Sequence, residues 1–302
     1  MKNFNYIKNK KIFFIISTVI LIVGISSFIF KGFYLDTDFI GGTTLEYSMN
    51  RPISVEEADI ISDYVEEITG IRPSSVQRSQ NAENPENNDI LIKITEINTE
   101  SRDAVFVKLS EIYGITEDDI LQSTNVGASM SADIRSAAIT ATIIAVVLML
   151  IYITIRFDVT SGISAVVCLS HDLFVMITAY SLFSIPLNST MIAAMLTILG
   201  YSINATIIIF DRIRENKRLH PEYSVDESAN AGISSTFYRS LNTTITTLLT
   251  IGMIYFIGVA SIREFALPLI IGIISGFYSS VFLAAPIWSV IKKAFAKKQK
   301  TN

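Results

Sequence analysis

Hydrophobic positions along the chain follow two regimes. Long apolar runs occupy residues 12–30, 134–155, 159–183, 189–210, 238–257 and 265–291. Each is long enough to cross a bilayer as a helix, which takes about 18 or more mostly apolar residues. Between the first and second runs, residues 31–132 carry apolar positions in short periodic sets instead. Beyond a segment at residues 36–45, residues 43–48 are strand-like. Ser54-Val-Glu-Glu57 is a capping box, and it opens a helix with Val55, Ala58, Ile61, Val65 and Ile68 on one stripe. Residues 75–79 form a weaker strand, and residues 81–88 a polar loop with Pro85. In residues 89–95, Ile90, Ile92 and Ile94 alternate with Leu91, Lys93 and Thr95, as in a strand. Residues 101–113 form a second amphipathic helix with Val105, Leu109 and Ile112 inward, and residues 120–126 a last strand. The order β-α-β-β-α-β predicts a ferredoxin-like domain, and about 90 residues suffice for its core. The predicted fold class is a polytopic α-helical membrane protein with six transmembrane helices. An extracytoplasmic α+β ferredoxin-like domain is expected between helices 1 and 2.

Composition and charge sharpen this division. Half of the 302 residues are hydrophobic, and the mean hydropathy is +0.46. The formal charge of −4 conceals an asymmetry: residues 31–132 hold seven Lys/Arg and nineteen Asp/Glu, a net of −12, which leaves +8 elsewhere. So acidic a domain argues against nucleic acid and against docking on anionic lipid. Four lysines precede the first run, Arg212, Arg214, Lys217 and Arg218 follow the fourth, and Lys292, Lys293, Lys297, Lys298 and Lys300 follow the sixth. Positive residues favour the cytoplasmic side, so both termini are expected there. The implied divisions are a cytoplasmic N-terminus (1–11), helix 1 (12–30), the outer domain (31–132), a five-helix membrane domain (133–291) with a cytoplasmic segment at 211–237, and a basic tail (292–302). Arg263, beside Glu264, is the exception on the outer side. The first run is too long for a signal-peptide core and no A-x-A pattern follows it, so a retained span is expected. The one cysteine, Cys168, lies in an apolar run and reads as a packing residue.

Ionisable groups inside a span are costly and therefore mark candidate sites. His171-Asp172 sits near the middle of the third span and suits either proton exchange or a structural bond between helices. The fifth span opens with Arg239 and continues Asn242-Thr-Thr-Ile-Thr-Thr247. Asn242 and Thr246 share a face with Tyr238 and Thr250, so Asn242, Thr243, Thr246 and Thr247 make a polar stripe suited to a hydrated path between spans. Threonines can equally return their hydroxyls to their own helix, and Arg239 read alone is a cation snorkelling at the inner boundary. Gly272 and Gly276 form G-x-x-x-G, a close-packing pattern. No Walker, H-E-x-x-H or G-x-S-x-G motif occurs, so the expectation is a non-enzyme without metal or cofactor.

Several motifs in order resemble the SecF family of bacterial protein-translocation subunits, in the resistance-nodulation-division superfamily, over nearly the whole chain. They are Asp38-Phe-Ile-Gly-Gly-Thr-Thr-Leu-Glu46, with Asp38, Gly41, Gly42 and Glu46 as its fixed positions; His171-Asp172; Gly200-Tyr-Ser-Ile-Asn204 with Phe210-Asp-Arg-Ile-Arg-Glu-Asn216; Arg239 through Leu249; Ile262-Arg-Glu-Phe-Ala266; and Ile271 through Ser280. The resemblance implies an auxiliary subunit that pairs with SecD. Together they would use the proton motive force to promote passage of exported polypeptides through SecYEG, with SecA and a YidC-type insertase as further partners. It implies proton-coupling roles for Asp172, Arg239, His171, Asn204, Thr206 and Asp211. The chain departs from the family in carrying Ala205 where an acidic residue usually follows the fourth-span Asn, and Ala cannot titrate. Asp211 lies six residues on, about 9 Å along a helix and on another face, so it is no simple replacement. Coupling is then expected to rest on SecD's own carboxylate, with Asp172 and Arg239 supporting. The rival reading is a half-size exporter of small molecules or lipids from the same superfamily.

Overall fold

The computed structural model describes residues 4–81, 84, 86–257 and 260–299. Pro85 and Lys300 lie outside the described residues. The chain begins with helix α1 (Lys10–Phe30), then a short helix α2 (Thr37–Ile40) and strand β1 (Gly42–Ser48). Next come α3 (Val55–Thr69), β2 (Ser75–Gln80), β3 (Asn88–Ile94), α4 (Thr99–Tyr113) and β4 (Ile120–Val126). The membrane part continues through α5 (Ala128–Arg156), α6 (Val159–Leu182), α7 (Ser189–Leu219), α8 (Val225–Ile257) and α9 (Ala260–Tyr278). A π-helical segment (Ser279–Ala284) joins α9 to α10 (Ala285–Gln299) without a break. Among the described residues, six helices are long and apolar enough to cross a membrane, α9 through α10 counting as one.

The four strands form one antiparallel sheet in the order β2-β3-β1-β4. That is the ferredoxin-like arrangement expected of β-α-β-β-α-β. The Ser54 hydroxyl accepts from Glu57 N while Glu57 accepts from Ser54 N, so the capping box forms as read. Leu45, Ile61, Val65, Ile90, Ile92, Val105 and Leu109 make the domain core. Two stripe positions are corrected: Val55 is 63% and Ile112 43% exposed. Val55 is the first residue of α3 and Ile112 lies in the last turn of α4, so both sit at helix ends. In β3 both faces are buried, Leu91 and Lys93 included. Lys93 faces the segment that enters the domain from α1, and its Nζ donates to Asp36.

The stretch 211–237, expected as a cytoplasmic segment, is largely helical. α7 runs through it to Leu219 and α8 starts at Val225, so only a short turn separates them. Gly232 permits the crossing, since a Cβ there would fall 2.4 Å from the Ile213 side chain. Tyr6 N donates to Asn230 of α8, and the Tyr6 and Phe13 rings pack on Phe282. Lys293 of α10 pairs with Asp226 at the start of α8. Both ends of the described chain therefore lie on one side, opposite the sheet domain.

On that side Asp158 caps α6 and pairs with Lys292 of α10. Burial pushes the Asp158 carboxyl up, but Lys292 and the Ser161 and Thr160 donors outweigh it and hold the group well below the usual range. A depressed folded-state value contributes stability above the unfolded carboxylate value, and that stability is lost as pH falls through the folded value. Thermal unfolding of the purified chain should therefore show a midpoint that declines below about pH 4. Asp158→Asn should lower the midpoint at neutral pH and flatten the decline; an unchanged profile would refute this role.

Candidate functional site

The site grows from the junction of three membrane segments, α6, α7 and the last span. A Cβ on Gly272 would fall 2.0 Å from Ile198 Cδ1, and one on Gly276 3.1 Å from Ser202 Cβ. The G-x-x-x-G face of α9 thus lies directly on α7, as small residues allow. The contact places Ser202 of α7 opposite Ser275 and Ser279, which are four residues apart on the last span. α6 packs into the same junction and delivers Asp172.

Asp172 is wholly buried. Its Oδ2 accepts from Ser202 Oγ at 2.6 Å and Ser279 Oγ at 2.6 Å, and its Oδ1 from Ser275 Oγ at 2.7 Å. The preceding residue's His171 Nδ1 lies 3.2 Å from Oδ1, where an Nδ1–H donates to a carboxylate. Four donors from α6, α7 and the last span satisfy the roughly four lone-pair positions that an ionised carboxylate offers. The His171 Nε2 is buried and has no hydrogen-bond partner among the described residues. Ser279 opens the π-helical segment, and Cys168 Sγ lies 3.7 Å from its carbonyl oxygen. Single π turns inside helices recur at functional sites. One turn along α7, Thr206 Oγ1 lies 2.8 Å from Ser280 Oγ, and Ser280 Oγ donates to the Ser202 carbonyl at 3.2 Å.

The other candidates lie elsewhere. Asp211 pairs with Arg156 at 3.2 Å, both about half exposed. Asn204 and Arg239 are exposed on the outside of the helix bundle. Asn242, Thr243, Thr246 and Thr250 are exposed with them, and Thr247 is half-buried. The stripe is therefore not enclosed between spans of this chain. Thr243 Oγ1 donates to Arg239 O, Thr246 and Thr247 to Thr243 O, and Thr250 to Thr246 O, so these hydroxyls serve their own helix. No bond joins Asp172 to Arg239, Asn204 or Asp211 among the described residues. Ser202, Ser275 and Ser279 were not singled out from sequence. Their signals were their places inside the motifs at 200–204 and 271–280, and, for Ser275 and Ser279, the spacing of four on the glycine-bearing face of the sixth span.

The Asp38–Glu46 motif sits where the outer domain meets the membrane part. The Asp38 carboxylate accepts from both Ser189 N at 2.9 Å and Ser189 Oγ at 2.5 Å, at the first residue of α7. Gly41 and Gly42 adopt φ of 84° and 156°, and Glu46 is buried on β1.

A family model described as "Protein export membrane protein SecD/SecF, C-terminal" matches residues 108–294. "Protein translocase subunit SecF" of Acidaminococcus fermentans is 36% identical over 97% of this chain and 99% of its own length. The chain belongs to the SecD/SecF family. The SecF of Petrotoga mobilis is 32% identical over 99% of this chain and all of its own. Among solved structures, SecDF from Thermus thermophilus superposes with a TM-score of 0.82 at 29% identity. That match covers 96% of this chain but only 39% of the SecDF chain, which is described as a translocon-associated membrane protein. The chain thus spans nearly the full length of these SecF relatives and about two-fifths of the SecDF chain. As in SecDF, an α+β domain sits between the first and second spans.

Proposed function

We propose that this chain is the SecF-type half of a two-part export motor in which proton exchange at Asp172 rearranges α6, α7 and the last span. Asp172 carries the reading. It is a fully buried carboxylate in a span, held by donors from three separate membrane segments. Adding a proton turns one acceptor oxygen into a donor, so at least one serine hydroxyl must turn away. The junction then has two discrete hydrogen-bond states, and a gradient that changes their populations moves the helices. One charge crossing about 100 mV supplies about 2.3 kcal/mol. That is enough to bias a sliding polypeptide over repeated cycles.

The other half is a SecD-type protein, and its seat is the exposed polar face of α7 and α8. An arginine, two asparagines and several threonines at membrane depth are unfavourable against lipid and suit a second polar helix bundle. On this reading Arg239, Asn242 and Asn204 face the partner's own intramembrane carboxylate, which does the titrating that Ala205 cannot. The two-part complex serves SecYEG and exported chains, with SecA and a YidC-type insertase as neighbours. The side carrying both ends is cytoplasmic, since the basic clusters lie there. The outer domain then faces the far side of the plasma membrane.

Affinity capture of the full chain from its own membrane tests this. SecD and SecYEG should be recovered together, and Arg239→Glu should lose SecD while the chain remains folded. Recovery of a self-dimer free of both would overturn the reading in favour of a small-molecule exporter.

A further inference from the structure

We propose that the segment between α1 and β1 is a stiff joint that makes the outer domain and the α6–α7 turn move as one body, with Asp36 and Asp38 as its positioning residues. The inference rests on the reading above that movement of the spans is used outside the membrane.

The joint is a continuous seam between residues 27–38 and residues 181–189. It starts inside the bundle, where Ser27 Oγ and Ser181 Oγ lie 2.8 Å apart. Ser181 Oγ also lies 2.9 Å from the Gly32 carbonyl, and Lys31 Nζ donates to the Leu182 carbonyl at 2.8 Å. Next, Leu187 N donates to Tyr34 O and Asp36 N to Leu187 O, at 2.8 and 3.0 Å, as a single parallel β-bridge. The seam closes with Asp38 on the first residue of α7.

Asp36 carries the seam into the sheet. Its Oδ1 caps α2 through Thr37 N at 2.7 Å, and its Oδ2 receives Lys93 Nζ of β3 at 2.8 Å. Both side chains of this pair are 5% exposed. An ion pair so buried gives little net stability but is costly to break from one side. It therefore fixes geometry more than it adds stability. Thr37 Oγ1 then meets Thr44 Oγ1 of β1 at 3.0 Å. The exit from the domain is equally short: β4 ends at Val126, Gly127 follows, and α5 starts at Ala128. A domain with no slack at either end cannot drift from the spans. Since Asp172 lies on α6 and one of its donors, Ser202, on α7, a shift between those helices reaches the turn that the seam grips.

Spin labels at Asp63→Cys on α3 and Phe183→Cys in the outer turn read the joint directly in the full chain, because the only native cysteine, Cys168, is buried. The expected result is one narrow distance distribution. Asp38→Ala should broaden it or add a second population. Asp38→Asn, which keeps an acceptor for the Ser189 amide, should leave it narrow. A second pair of labels within the sheet domain should be unchanged in both, which separates a loosened joint from an unfolded domain. In the complex with SecD, bridging Asp38→Cys to Ser189→Cys with a short thiol cross-linker should preserve gradient-stimulated export, and cleaving the bridge should lower it to the Asp38→Ala level. A distribution as narrow in Asp38→Ala as in the parent, or export blocked by the bridge, would overturn the joint. If the unmodified chain gives no gradient-stimulated export, the motor reading fails, while the distance measurement still decides the joint.

Discussion

Asp172→Asn should abolish the dependence of export on a proton gradient while leaving the chain assembled. The asparagine amide is nearly the shape of the carboxyl, and its oxygen can still accept from a serine of the cage. It has no proton to exchange, so the junction is locked into one arrangement. Export driven by other energy sources should persist, and the response to an imposed pH step should vanish in vesicles containing the SecD-type partner and the channel. Asp172→Ala makes the necessary contrast. It strands the Ser202 and Ser275 hydroxyls and the His171 Nδ1 in a buried junction, while Ser279 Oγ keeps the Gly276 carbonyl at 3.3 Å, at about 1–3 kcal/mol for each donor left unpaired. That variant should lose both activity and thermal stability, whereas the asparagine variant should lose activity alone. A retained gradient response in Asp172→Asn would remove this residue from the coupling path and leave it a structural knot between helices.

The second large effect concerns the outer domain. Gly42→Ala should cost a few kcal/mol, through two causes that act together. Its φ of 156° suits glycine, and a Cβ would sit 2.5 Å from the carbonyl oxygen of Ile94. That oxygen belongs to β3, whose Ile94 is the register partner of Thr43, so it cannot retreat without breaking the sheet. Strained backbone of this kind is worth about 1–3 kcal/mol, and overpacking adds a comparable amount. Gly70→Ala is the control: its φ of 70° also disfavours a side chain, but nothing lies within 4 Å of the added carbon. It should cost only about 1–2 kcal/mol. Thermal unfolding and limited proteolysis of the full chain distinguish the two, with the outer domain cleaved first in Gly42→Ala. Equal effects would show that conformation alone, and no clash, holds Gly42 in place.

How legible each part was depends on how local its cause is. The capping box at Ser54 and Glu57 formed as read because both partners lie within one helical turn. The strand at 120–126 was read to the residue, since Gly and polar residues bound it on either side. The six spans follow from run length alone, as bilayer thickness sets the number of apolar residues. Helix ends were less legible. α7 and α8 continue through the charged stretch at 211–237, because Lys, Arg and Glu extend a helix as readily outside the bilayer as leucine does within it.

The candidate site was half legible. Asp172 stood out because a carboxylate in an apolar run is expensive wherever it points. Its serine donors did not, since Ser202, Ser275 and Ser279 are ordinary small residues until α7 meets the last span. The threonines after Arg239 showed the opposite problem. Their spacing defined a polar face but gave no direction for it, and the fold turns that face outward. Asp38 was legible as part of a motif, but its contact with Ser189 spans 151 positions of sequence.

The sequence by itself determined the division into membrane and water, the order of elements, and the presence of one costly carboxylate. All three follow from solvent preference and from periodicity over a few residues. Only the tertiary structure decided what that carboxylate touches, which way the polar stripe faces, and that the outer domain is sewn to the α6–α7 turn. Those facts depend on which helix faces meet, and helix faces meet through packing between residues far apart along the chain, where no local pattern carries the information.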